Sequence, residues 1–476
     1  VRSVVQAKLL SFVVVCLLLS GCASTRPAWE LPAPPAREVP IVAEGALVEK
    51  RLPNGLHVML LRDRSRPMIS LGLELKRGAA IDPAGKEGLA VLMGEVMQRG
   101  AGDRDALELA RDVEALGADL GVSVGWDSTG VGASGLSRDT DALLGFVADV
   151  ALRPRFEVGE VERARSEQLA GLAASLDNPR NVLGWQLQRT LFGSHRYGVP
   201  SAGLPETVEP LGVADVRAMH GRLFHPNNAI FHAAGDFDPE TLLAKIEAAF
   251  GNWRPGPVAK PVAAPPRTTP PAPRIMVVDR PEMVQVQMAL AHEGLQRSDE
   301  RRIPASLLNN VLGGSGFSSR LTVRLRSNEG LTYSIRSGFV LRRRPGRFGV
   351  STFTRADQAR PAIESILEEL EAIRGERPVS EEELRNAKAF SLGHFALGLE
   401  TSGAVLGRLV NLAVYGLPED SLDTYRARVN GVTLEQVHGL AESLLHPDRL
   451  AVVIVGPAEA LVPRLDGLGE VEVVTW

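Results

Sequence analysis

The chain of 476 residues is poor in several features that would assign it to a class at once. It has only two cysteines, which excludes a disulfide framework. It has no basic excess: 53 Lys and Arg stand against 57 Asp and Glu, a formal charge of −4. A dedicated nucleic-acid binder needs a basic footprint, so nucleic acid is not an expected partner. Beyond the first twenty or so residues no apolar run is long enough to span a bilayer. The nine histidines form neither His-Glu-x-x-His nor an inverted pair, and His292-Glu293 lacks a second histidine. The glycine-rich stretch Leu312-Gly313-Gly314-Ser315-Gly316-Phe317 has no Gly-Lys-Ser/Thr after it, which argues against a phosphate loop. A serine-hydrolase elbow is not expected either, no Gly-x-Ser-x-Gly being read in the chain. What remains is an ordinary globular composition, 44% apolar and 23% charged, with enough chain for more than one domain.

The chain opens with Arg2 and Lys8 and an apolar run from Leu9 to Leu19. Eleven residues are too few for a spanning helix but suit the apolar region of a secretory leader. The run ends in Leu19-Ser20-Gly21-Cys22, which resembles the bacterial lipobox. The resemblance implies a leader over 1–21, cut before Cys22, with Cys22 then lipidated and the rest of the chain tethered to a membrane of the cell envelope. Ala23, rather than Asp, follows Cys22, which by resemblance to the enterobacterial lipoprotein sorting rule implies the outer membrane facing the periplasm. Residues 22–45 are rich in Pro and Ala and read as a semi-rigid tether.

A second Pro-rich stretch, 255–273, has the composition of an interdomain linker and separates 46–254 from 274–476. The two parts are related. Leu223-Phe224-His225-Pro226 precedes an apolar strand from Ala229 to Ala234, and Leu444-Leu445-His446-Pro447 precedes Leu450 to Val455, 221 positions on. Upstream, Leu211, Val216 and Met219 fall opposite Val432, Val437 and Leu440 at the same offset with helical spacing, which points to a duplicated domain. Strands and helices alternate in both parts, predicting an α+β protein with sheets covered by helices.

The first part contains Gly88-Leu89-Ala90-Val91-Leu92-Met93-Gly94-Glu95-Val96-Met97 in a helical pattern. With its surroundings this resembles the N-terminal domain of the insulinase, pitrilysin and mitochondrial processing peptidase family of inverzincin metallopeptidases. There the helix reads Gly-Leu-Ala-His-x-x-Glu-His, two histidines binding zinc and the glutamate activating water. Here the histidine positions are Val91 and Glu95, and the glutamate position is Gly94. Val and Gly can neither bind zinc nor move a proton, so no metal is expected in this chain. Glu160, Glu162 and Glu167 lie in the region that supplies a further ligand in active members, but read as a solvated helix face. His220, His225 and His232 cluster in sequence without metal-ligand spacing.

The second part contains Ser318-Ser319-Arg320-Leu321 and, further on, Leu325-Arg326 and Gly330-Leu331-Thr332-Tyr333-Ser334. This is similar to the C-terminal motif of the same family, whose arginine and tyrosine, seven residues apart, face the zinc site. Arg326 and Tyr333 have that spacing. A guanidinium offers fixed donors to peptide carbonyls, and a phenol can donate to an oxygen that becomes negative. Arg320 and Arg324 are expected to be solvated or salt-bridged, and Arg342-Arg343-Arg344 with Arg347 to form a solvated hairpin turn.

The resemblance covers about Val48 to Val474. It implies two homologous α/β-sandwich domains in a clam-shell, and a peptide bound as an added strand. It further implies a non-catalytic, half-site subunit that contributes substrate binding through Arg326 and Tyr333 to a homologous partner carrying His-x-x-Glu-His and the zinc. The alternatives are a peptide-binding or scaffolding lipoprotein without hydrolysis, and a self-sufficient peptidase with unconventional ligands that include Glu95.

Overall fold

The computed structural model describes residues 40–264 and 274–476. The expected leader, Cys22, most of the tether and the second half of the Pro-rich stretch lie outside the described residues. The fold is α+β, with two six-stranded mixed sheets. The first has the order β1 (Leu47–Arg51), β2 (His57–Arg62), β6 (Ala229–Gly235), β3 (Met68–Leu75), β5 (Thr129–Leu136), β4 (Asp119–Val124). The second has the order β12 (Glu470–Val474), β7 (Arg274–Asp279), β11 (Ala451–Gly456), β8 (Gln285–Glu293), β10 (Arg347–Arg355), β9 (Ile335–Val340).

The two sheets correspond strand for strand over five positions. In each, the third strand in the order is parallel to the second and antiparallel to the fourth. The helix before it spans Val213–Leu223 in one half and Leu434–Leu444 in the other, the offset read from the sequence. Only the outer strand differs, since β1 runs antiparallel to β2 while β12 runs parallel to β7.

One face of each sheet packs against helices of its own half. In the first half Leu71, Leu73, Val131 and Phe231 meet Leu92, Met93 and Val96 of the helix Leu89–Met97. The edge strand β4 alternates, with Leu120, Val122 and Val124 partly buried against this core and Asp119, Gly121 and Ser123 on the other face. Part of the opposite face of each sheet is covered by the other half. The helix Pro179–Phe192, started by Asn178 and Pro179, lays Val182, Leu183 and Leu187 on Met276, Ala289, Val453 and Val455 of the second sheet. The helix Ser402–Tyr415 lays Val405, Leu406, Val410 and Val414 on Met59, Ile230 and Ala234 of the first. This exchange binds Ile41–Trp476 into one compact unit.

The arginine run Arg342-Arg343-Arg344 is a correction to the sequence reading. It is not a solvated turn but a bolt between the halves. Arg342 stacks on Trp126 and Tyr197, its ζ carbon 4.2 and 4.5 Å from the ring centroids. The Arg343 amide donates to Asp127 Oδ2 at 2.8 Å, and the Tyr415 hydroxyl reaches the same oxygen at 3.2 Å. The Arg344 Nε donates to the Val262 carbonyl at 2.8 Å. Arg347, expected in the same turn, opens β10 and is half-buried. Aromatic faces and carbonyl oxygens replace water for these weakly hydrated cations. Arg320 and Arg324 are salt-bridged, as expected, to Glu383 and Glu329. Among the described residues no helix is long and apolar enough to cross a membrane.

Leu187 is almost wholly buried in the exchanged contact, whereas Leu107 is an exposed leucine on the helix Ala106–Ala115. Leu187→Ala is expected to cost about 2–5 kcal/mol in chemical denaturation. Leu107→Ala should stay within about 0.5 kcal/mol of wild type. Equal effects would show that the exchanged helix carries no weight.

Candidate functional site

The helix Leu89–Met97 starts from Gly88, whose φ of +98° a side chain would resist. No side chain caps it from the N-cap position; Asp82 does so from a distance. Its carboxylate accepts from the amides of Gly88 at 2.9 Å and Ala90 at 3.0 Å, and from Arg196 Nη2 at 2.9 Å. Burial lifts the Asp82 carboxyl to about 6, outweighing the Arg196 charge and the two amides.

Val91 and Glu95 line a cavity of about 500 Å³ together with Arg99, Glu167, Gln168 and Trp185. Arg99 is bidentate on Glu167, at 3.3 and 2.5 Å, and 3.9 Å from Glu160, and Glu95 also lies within its field. Its hydrogen bond holds the Glu167 carboxyl below the usual range. Glu160 and Glu167 are thus ion-paired rather than merely solvated. This donor set does not suit a zinc ion: the carboxylates already share a guanidinium, and Val91 offers no donor. Among the described residues no group of three or more His, Cys, Asp or Glu is placed to hold a metal. His220 bonds the Ala151 carbonyl at 2.9 Å, while His232 lies on β6.

Gly94 has a steric reason. A Cβ there would stand 2.6 Å from Val124 Cγ2 and 3.3 Å from Val122 Cγ1, so β4 occupies the space of any side chain. The stretch Gly121-Val122-Ser123-Val124-Gly125 does have Gly-x-Ser-x-Gly spacing, contrary to the sequence expectation. It lies along β4 and the turn after it, not at a strand-to-helix elbow, so it is not a nucleophile motif.

The structure brings Arg326 and Tyr333 together. The helix Arg302–Asn309 continues as a π turn, Asn310–Gly314, and a second π-helical segment, Thr322–Asn328, carries Arg326. Gly330, at φ +64°, ends that segment and turns the chain toward Tyr333. The strand begins at Ile335, not Leu331, because the Thr332 hydroxyl binds the Phe353 carbonyl at 2.6 Å and the Ser334 carbonyl at 3.1 Å. The Arg326 guanidinium lies between two rings, 4.5 Å from the centroid of Tyr333 and 4.6 Å from that of Phe317. Both rings are exposed, Tyr333 by 72% and Phe317 by 74%. Among the described residues Arg326 makes no hydrogen bond or ion pair, so its N–H edge is free. Phe317 was missed in the sequence, where its only signal is an aromatic residue closing a glycine-rich stretch. The cavity at Val91 and Glu95 is lined by first-half residues alone, so the pair is not part of it.

The family model for insulinase (peptidase family M16) matches residues 57–203, and that for the peptidase M16 inactive domain matches 210–390. The chain belongs to the peptidase M16 family. Its M16 relatives include an uncharacterized zinc protease of Mycobacterium leprae, 28% identical over 87% of this chain and 93% of that one. Another, of Streptomyces coelicolor, is 27% identical over 87% and 90%. Among solved structures, a peptidase M16 inactive domain from Pseudomonas fluorescens has a TM-score of 0.80 at 25% identity, covering 86% of this chain and 98% of that one. The first half of the periplasmic protease PqqL from Escherichia coli has the same fold, with a TM-score of 0.73 at 17% identity, covering 88% and 94%.

Val91 is half-buried and Glu95 exposed, so histidines fit at both positions. The double variant Val91→His, Glu95→His is expected to melt near wild type. Adding Gly94→Glu should lower stability by about 1–3 kcal/mol through overpacking against β4. Guanidinium denaturation of the double and triple variants checks this, and equal midpoints would refute it.

Proposed function

We propose that this M16 chain is the non-catalytic half-site subunit of a heteromeric zinc peptidase of the bacterial cell envelope. Arg326 carries the reading. It is a guanidinium, uncommitted among the described residues, that lies over two exposed rings, one of them the phenol of Tyr333, while the helix that would bear the zinc ligands has Val91, Gly94 and Glu95. The partner is a homologous chain with His-x-x-Glu-His, and the zinc resides there. A peptide or unfolded-protein segment adds to the outer edge of β4, whose backbone is paired, among the described residues, only with β5. Arg326 donates to substrate carbonyl oxygens, which fixes the register of the peptide. Tyr333 donates its phenolic proton to the carbonyl oxygen as negative charge builds on it. Lipidation of Cys22 anchors the chain, with the tether holding it off the outer membrane on the periplasmic side.

The purified chain, made without leader and lipid, should contain near-zero zinc by elemental analysis and cleave no peptide. Co-expressed with a zinc-motif homologue encoded beside it, it should co-purify and cleave. Arg326→Ala and Tyr333→Phe should each lower kcat/KM of the complex by roughly 10²-fold, the cost of losing a donor to a developing oxyanion. One dialysis-resistant zinc per chain with chelator-sensitive cleavage by the chain alone would overturn the reading.

A further inference from the structure

The face of the first sheet turned away from its helices carries a carboxylate without a cation. Strand register places Glu74 opposite Gly130 and Gly72 opposite both Gly132 and His232. On the next strand out, Ser123 is opposite Gly130 and Gly121 opposite Gly132. Directly paired residues share a face, so Glu74, His232, Ser123 and four glycines lie on one side. Glu74, His232, Ser123, Gly121, Gly130 and Gly132 line a shallow cavity of about 390 Å³.

Two of these glycines make room for the polar groups. A Cβ on Gly130 would meet Glu74 Oε2 at 2.5 Å, so the carboxylate lies flat over β5. A Cβ on Gly72 would meet the His232 ring at 3.1 Å. A Cβ on Gly121 meets nothing within 4 Å, which leaves the way from the carboxylate to the β4 edge open.

Burial raises the Glu74 carboxyl above its usual range, opposed by a hydrogen bond from Ser128; among the described residues no neighbouring cation acts on it. Burial pushes His232 down to about 4, so at neutral pH it brings no positive charge. A half-buried carboxylate without a counter-ion is costly to keep.

We infer that Glu74 is a specificity-determining residue of a subsite for a lysine or arginine side chain of a peptide added to β4. The inference rests on the added-strand reading given above. An added strand places alternate side chains on this face. The carboxylate over β5 lies two strand spacings from such a strand, about 9.6 Å. After about 3 Å for the ion-pair contact, the remaining gap is one that the long stems of Lys and Arg span and short side chains do not. The bare glycine floor lets such a stem lie flat across β4.

The test uses the full chain without leader and lipid, and two fluorescein-labelled peptides, both N-acetylated and C-amidated. They are Thr/Val-rich ten-residue peptides that differ only in a central Lys or norleucine. Fluorescence anisotropy should show the Lys peptide binding at least about tenfold more tightly. Glu74→Gln should bring the two affinities within about twofold. Gly121→Val, whose side chain enters open space, should do the same with an unchanged thermal midpoint, which keeps the test valid if Glu74→Gln folds poorly. Equal affinities in the wild type, or a preference that survives both variants, overturn the assignment of Glu74 while leaving the added-strand reading standing. Tighter binding of both peptides when the acetyl group is left off, with no difference between Lys and norleucine, overturns the side-chain assignment in favour of an α-ammonium. If neither peptide binds, the added-strand reading falls first and this inference with it.

Discussion

The structure depends on an exchange of helices between its halves. Each sheet contains a central parallel pair and is apolar on both faces at that pair, β2 and β6 in one half, β7 and β11 in the other. Such strands need cover on both sides. The first half covers only one face of its own sheet, and the second face receives Ser402–Tyr415 from the other half, while Pro179–Phe192 returns the cover. Separating the halves would bare Met59, Ile230 and Ala234 on one side and Met276, Ala289 and Val453 on the other. The open edge of β4 and the Arg326–Tyr333 pair therefore belong to one folded body, although they lie some two hundred residues apart.

The elements that fold on local pattern were legible. Strands β3 and β10 and the helices of each core show period-two or helical spacing, β2 and β8 read as short apolar runs, and the 221-residue offset recurs in the helix boundaries. The exchanged helices were not legible as such. Pro179–Phe192 spreads apolar and polar residues around its axis, and the sheet it covers begins some ninety residues later. The arginine run misled for a related reason. A charge run usually marks a solvated face, but Trp126, Tyr197 and Asp127, which receive these arginines, come from the first half, and Tyr415 lies further along the second. At the candidate site, the spacing of Arg326 and Tyr333 could be read directly. Phe317 could not, since nothing in the sequence says which ring will lie against a guanidinium.

The two halves also share a device that the sequence shows only as scattered glycines. In the first half Gly94 lets the helix Leu89–Met97 press against β4. In the second, Gly313 does the same against β9, where a Cβ would stand 2.5 Å from Ser337 Oγ. Both glycines sit where a helix meets the edge strand of its sheet. The close approach seats each edge strand directly against the helix of its own half.

The sixth strands tell a different story from the other ten. Five strands of each sheet repeat in order and direction, yet β1 is laid on antiparallel by chain preceding its repeat and β12 parallel by chain following its own. The repeated unit is thus five-stranded, and each half adds an outer strand of its own. Each one shields, on the side away from β4 or β9, an edge that five strands alone would leave bare to sticking and self-association.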